Sequence, residues 1–261
     1  MMVVEGSKES SKQYINVIRE LTRREIKRKY ARSFLGVIWS VLNPLLYMAV
    51  VTFVFSYLFS KGIENYPAYY LTGYIIFTLI ATGSTTSMTA LKDNRNLMLK
   101  TKWARQTFVL SRVYTSFVNF LLSCISYVIV LIVFRLNVGW TVVFFPLDIF
   151  FVMIFLIGLS YALSIWHVLL GDAKIIYGTI IMVIRFFSGL FYNVDTIDPG
   201  IRTFISFNPI YVFIKVARDS TLYGKIPEMS FLVQMVIWSV GMFIIGKLIF
   251  KYKENKVMEK I

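Results

Sequence analysis

Few residues in this chain have the type and spacing to do chemistry, and most of those lack partners. His167 is the single histidine and Cys124 the single cysteine. A metal site built on imidazole and thiolate therefore lacks ligands, and a serine nucleophile has only one histidine to serve as base. His167 is expected to be a packed or interfacial residue. The run Gly241 to Lys247 has the glycine and lysine spacing of a phosphate-binding loop. Leu248 stands where a Ser or Thr is required, and the run is apolar with no strand before it, so nucleotide binding by this chain is not expected.

Arg185 is the exception. It falls near the middle of an apolar block, where a lipid-facing charge costs at least about 2.5–3.5 kcal/mol. Gly178, Ile181, Met182, Gly189 and Tyr192 share its side at helical spacing. Such a face suits a cavity or a tight helix contact. There the guanidinium meets a phosphate on a passing molecule or an acid within the protein, or it snorkels to the interface because the span sits at another depth.

The elements that hold these residues belong to a membrane. The 261 residues are 57% hydrophobic, 17% aromatic and only 16% charged, against about 25% charged in soluble domains. The apolar residues fall in blocks of about 20, the length that spans a hydrocarbon core. A net charge of +14 would suit nucleic acid if it were spread over a soluble face. Instead the basic residues gather at the ends of apolar blocks, where they set orientation and meet anionic lipid. Nucleic acid is not an expected partner.

The pattern predicts an all-α integral membrane fold with six transmembrane helices. An amphipathic helix, Lys12 to Arg28, comes first, with Tyr14, Val17, Ile18 and Leu21 on one face and Arg19, Arg23 and Lys27 on the other. It is expected to lie in the interface, within a cytoplasmic tail of residues 1–35. Residues 36–250 form the membrane domain, with spans at about Gly36–Phe59, Pro67–Leu91, Phe108–Phe134, Phe145–Leu170, Lys174–Phe191 and Phe231–Phe250. Residues 251–261 are a charged tail. Span one contains Pro44, which predicts a kink. Span two is rich in small and hydroxyl residues, from Gly73 to Ser87, suited to close helix packing and, second, to substrate contact. The stretch Tyr192 to Ser230 is apolar in short runs broken by Asp198-Pro199 and Asn208-Pro209, which predicts short re-entrant helices. Segments assigned to the cytoplasm hold 21 Lys and Arg against six in the external ones, which places both termini inside.

The segment Lys29 to Pro44, KYARSFLGVIWSVLNP, resembles the opening signature of ABC-2 type exporter membrane subunits that move polysaccharides and polyol phosphates. Asn96 to Lys100 and Asn208-Pro209 extend the likeness along nearly the whole chain. The resemblance implies a homodimer in the bacterial plasma (inner) membrane, bound to two copies of a separate cytoplasmic ABC ATPase that carries the ATP and magnesium. It implies no cofactor on this chain. The loop after span two would couple to the ATPase through Asp93, Asn94, Arg95, Asn96, Lys100 and Lys102, flanked by Arg19 and Arg23. Spans one and five would border the path of a lipid-linked polysaccharide such as O-antigen, capsule or teichoic acid. Along that path Trp39, Tyr47, Tyr177, Phe187 and Tyr192 would supply stacking faces and Arg185 a phosphate contact. Three other readings stand beside it. An ABC-2 exporter of a small hydrophobic drug or lipid keeps the fold. A membrane transferase would rely on Asp195, Asp198, Asp219 and Glu228. An ion-coupled transporter would need buried acids, of which Asp148 is the nearest.

Overall fold

A computed structural model describes residues 2–31, 33–59, 63–100 and 103–260. Among these the chain is helical and contains no strand. In order the helices are α1 (Met2–Tyr30), α2 (Trp39–Phe59), α3 (Tyr66–Met88), α4 (Ala90–Asp93), α5 (Arg95–Lys100) and α6 (Gln106–Val133). They continue with α7 (Phe144–Leu169), α8 (Ala173–Phe186), α9 (Pro199–Ser206), α10 (Pro209–Thr221) and α11 (Met229–Lys260). Four stretches are long and apolar enough to cross a membrane: Gly36–Phe55, Gln106–Val133, Trp140–Leu169 and Met229–Val257.

Two of the six expected spans are of another kind. α3 is long enough but carries too many hydroxyl groups to read as a lipid-facing helix. It sits at the centre instead, with 16 residues buried. α8 has 14 residues, about 21 Å of helix at 1.5 Å per residue, short of a hydrocarbon core of about 30 Å. The expected span to Phe191 therefore ends early, at Phe186, with Phe187 as its cap. Gly189, at φ +62°, turns the chain back where a side chain would strike Val194 and Tyr211. Two further boundaries differ from the sequence reading. α1 is longer than Lys12–Arg28, and the tail after Phe250 continues α11 to Lys260. Lys and Glu are good helix formers, so a charged run following an apolar helix extends it.

Close approach is built from small residues. Gly158 of α7 lies against the backbone of Met242 and Phe243 in α11, and Gly246 lies against Gly158, so a Cβ at either would collide with main chain. Gly83 of α3 admits Leu156, and Ser87 Oγ donates to Ser160 Oγ at 2.7 Å. Packing thus accounts for one face of α3, as its composition suggested.

Pro44 lies inside α2 and removes the N–H that would bond the carbonyl of Ser40. Ser123 of α6 donates its hydroxyl to that carbonyl at 3.2 Å, and Ser126 donates to Val41 O at 2.7 Å. The proline is tolerated because a neighbouring helix supplies the missing donors.

Candidate functional site: two ends and the cavity between them

At one end of the bundle, α1, α4 and α6 are tied together by ion pairs and hydrogen bonds. Arg112 of α6 donates to Glu25 Oε2 at 2.8 Å and to Asp93 Oδ2 at 3.2 Å. Arg24 donates to Asn94 Oδ1 at 2.7 Å, and Thr22 to Ser111 O at 3.3 Å. Glu25 interrupts the apolar face of α1 in the sequence. The structure explains it: the carboxylate is buried with Leu21 and Thr22 against α6, where Arg112 meets it.

The residues expected to couple to a partner divide here. Asn94 is buried and Asp93, though exposed, is tied to Arg112, whereas Arg95, Asn96, Lys100, Arg19 and Arg23 face outward. Lys102 lies outside the described residues. Leu99 and Trp103 are also exposed. A cleft of about 510 Å³ runs between α1 and α5, lined by Val17, Leu21, Leu97 and Trp103. Sequence reading named Val17 and Leu21 as the apolar face of the helix but, following charge, singled out none of Leu97, Leu99 and Trp103 as a contact.

Between the ends, α2, α3 and α6 line a cavity of about 490 Å³ that α1 closes off through Glu25, Lys29 and Tyr30. Trp39, Asn43 and Tyr47 line it from α2, Tyr74, Thr78, Thr82 and Thr86 from α3, and Asn119 and Ser123 from α6. The α3 residues are four apart, which puts them on one side of the helix. Thr82 donates to Thr78 O at 2.6 Å and Thr86 to Thr82 O at 2.7 Å. Each hydroxyl proton is thus used within the helix, and the oxygen is left to accept. The threonine stripe was legible as hydroxyl-rich helix, but its division into a packed face and a cavity face was not. Tyr47 stacks on Tyr74 at 5.5 Å and Tyr74 lies 5.6 Å from Tyr70, carrying the aromatic surface onward from the threonines.

Of the expected path residues, Trp39 and Tyr47 line this cavity, and the other four lie elsewhere. Tyr177 is buried and donates to Ser84 Oγ at 2.7 Å. Arg185 is exposed in the last turn of α8, its guanidinium 5.0 Å from the Phe77 ring centre. It makes no ion pair with a carboxylate among the described residues. Phe187 is exposed and packs edge-on to Phe204 at 5.9 Å. Tyr192 donates back to Phe186 O at 2.6 Å.

At the opposite end α8 stops, and a helix end leaves carbonyls without partners. Side chains take them up. Asn208 donates to Phe187 O at 2.9 Å while its own oxygen caps α10 through Ile210 N. Tyr66 donates to Phe191 O at 2.9 Å and Tyr69 to Tyr192 O at 2.7 Å. Arg218 of α10, which is 2% exposed, donates to Gly189 O at 2.8 Å, Leu190 O at 3.3 Å and Tyr69 O at 3.2 Å. Its guanidinium carbon lies 3.4 Å from the Tyr69 ring centre. Gly73 clears the space: a Cβ there would stand 2.9 Å from Arg218 Nη2. In the sequence Arg218 reads as one more external positive charge. Its only hint is that it directly follows the apolar run Ile210 to Ala217.

A polar cavity of about 560 Å³ adjoins Arg218, lined in part by Asp195, Arg202, Lys215, Asp219 and Glu228. Arg202 pairs with Asp195 at 2.9 Å and Lys215 with Asp219 at 3.1 Å. Burial raises the Asp219 carboxyl above its ordinary range, with Lys215 pulling the other way. Of the acids named for a transferase, Asp195 and Asp219 are thus engaged in ion pairs, and Asp198 caps α9. Asp148 is fully buried with neither oxygen hydrogen-bonded.

The architecture is a helical bundle with four apolar stretches of membrane length, α1 packed against α6 at one end and α8 broken off at the other. The chain belongs to the ABC-2 type transporter family, whose pattern matches residues 16–222. It is similar to the O-antigen export system permease protein RfbA of Myxococcus xanthus, 27% identical over 252 residues, covering 95% of this chain and 96% of that one. It is also similar to RfbA of Klebsiella pneumoniae, 26% identical over 239 residues, with 90% and 92% covered. The polysialic acid transport protein KpsM of Escherichia coli is 20% identical over 251 residues, with 92% and 95% covered.

Proposed function

We propose that this chain is the permease subunit of an ABC exporter for polysaccharide carried on a polyprenyl diphosphate lipid. The observation that carries the reading is the cavity walled by Thr78, Thr82, Thr86, Asn43, Trp39 and Tyr47. Hydroxyl and amide oxygens accept from sugar hydroxyls, and aromatic faces stack on the apolar faces of sugar rings. Relatives named for O-antigen and polysialic acid export support the same substrate class.

The working unit is a homodimer in the bacterial inner membrane, with both termini in the cytoplasm and two ATPase copies beneath. ATP and magnesium belong to those copies. Asp93 to Lys102, with Arg19 and Arg23 alongside, receives the ATPase stroke. Arg112 passes it to α1 and α6 through Glu25 and Asp93. α3 and α8 complete six crossings, the shortness of α8 being made up by the folded-back segment 187–192. α9 and α10 dip in from the outer side as re-entrant helices. Arg185 meets the diphosphate during passage.

The test is to purify the tagged full chain from native membranes in mild detergent and to reconstitute it with whatever ATPase accompanies it. The expected result is an ATPase at equal copy number whose turnover drives lipid-linked polymer across the vesicle membrane. Arg185→Ala should lower that export while leaving the dimer folded. Transport of small apolar dyes but no polymer would replace this reading with the drug or lipid exporter.

A further inference from the structure

We propose that Arg218 is a positioning residue that latches the broken end of α8 and thereby fixes Arg185, Phe186 and Phe187 in the transport path. The inference rests on the reading of α8 as a crossing that stops short beside that path.

α8 ends one residue after Arg185, and the following carbonyls have no helix to continue into. In a low-dielectric setting each unpaired carbonyl costs several kcal/mol, so the break persists only while donors are supplied. Arg218 supplies two of them, to Gly189 and Leu190, and its third bond goes to Tyr69 O in α3. One guanidinium thus joins the end of α8 to α3 while itself belonging to α10. Tyr69 closes the arrangement, its ring against the guanidinium and its hydroxyl on Tyr192 O. Lysine cannot reproduce it. An ammonium has the charge but not the planar fork that reaches three carbonyls at once and lies on a ring. Because α10 follows directly on α9, a movement of this pair withdraws Arg218 from Gly189 and Leu190 together. The last turn of α8 and the exposed Phe187 are then released as a unit.

The experiment uses the full chain, with its ATPase, in proteoliposomes. Amide hydrogen exchange is read by mass spectrometry on wild type, Arg218→Lys and Tyr69→Phe, together with passive chloride efflux without nucleotide. In Arg218→Lys the segment 186–192 is expected to exchange about tenfold faster, as local opening does when one strong contact is lost. The central helix α3 should keep its protection, and resting efflux should rise several-fold. Tyr69→Phe, which keeps the ring and removes one donor, should fall between the two. Unchanged exchange in 186–192 of a folded Arg218→Lys protein overturns the proposal. So does faster exchange spread over α3 and α7, which would make Arg218 a general stability contact. Failure of the wild-type vesicles to move polymer would count against the exporter reading and leave the exchange result standing.

Discussion

Arg112 and Arg218 each join three elements, but they are held by different chemistry. Arg112 stands at a partly exposed end and is neutralised by two carboxylates, Glu25 at 2.8 Å and Asp93 at 3.2 Å. Arg218 is buried, pairs with no carboxylate among the described residues, and is satisfied by three carbonyls and the face of Tyr69. Where water is near, carboxylates remain hydrated enough to serve as partners. Deep in the chain a second buried charge would add its own desolvation cost, and fixed backbone dipoles avoid it. The contrast has a kinetic side. Ion pairs between partly exposed groups exchange partners easily, whereas backbone carbonyls move only when their helix moves.

Predictions follow in order of size. Arg218→Gln leaves several buried carbonyls short of a donor and is expected to destabilise the folded chain by about 3 kcal/mol, seen as a lowered thermal midpoint in detergent. A loss of only a few tenths of a kcal/mol would mean that Tyr66, Tyr69 and Asn208 hold the α8 end without it, and the comparison would collapse. Glu25→Gln is expected to cost about 1.5 kcal/mol, because it strips the closer of the two acids from Arg112. The wild-type advantage over Glu25→Gln should shrink as salt is raised, and the advantage over Arg218→Gln should not. Equal salt sensitivity at both ends would erase the distinction drawn here.

Asp93→Asn should cost less than about 0.5 kcal/mol, because that carboxylate is 44% exposed and screened. Its effect should instead appear as a lower transport-to-ATP ratio in reconstituted vesicles. The smallest effect is expected at Asp219. Its raised pKa means that the folded chain binds the proton more tightly than the unfolded chain does. The stability this provides is complete below the ordinary value of 3.8 and is lost as pH rises through the raised value. Asp219→Asn should therefore flatten the fall of the melting midpoint as pH rises from the ordinary value of 3.8 through the raised one.

Helix identity was readable from the sequence wherever one physical cause dominated. Blocks of apolar residues marked α6, α7 and α11 to within two residues at their starts. Asp198-Pro199 and Asn208-Pro209, noted as interruptions, are the capped beginnings of α9 and α10, with each side chain accepting from the backbone two residues on. What could not be read was partnership across the chain. Nothing local in Glu25 announces Arg112, 87 positions away. Nothing in Tyr66 or Tyr69 announces carbonyls more than 120 positions further on. Tyr177 looked like a path residue by composition, but the hydroxyl of Ser84 turned it inward. Charge drew the sequence reading to Arg185, and Arg218, equally charged, was overlooked because its neighbours fold over it only in three dimensions.

The threonine stripe on α3 has a consequence for motion. Successive oxygens of Thr78, Thr82 and Thr86 stand about 6 Å apart along the axis, and those of Thr82 and Thr86 offer lone pairs only, their protons being spent on their own helix. If the proposed function holds, a hydroxylated chain advancing past them trades one acceptor for another at every step, so no single position becomes a trap. Such a wall grips weakly everywhere and tightly nowhere, and it is indifferent to the order of the units that slide along it.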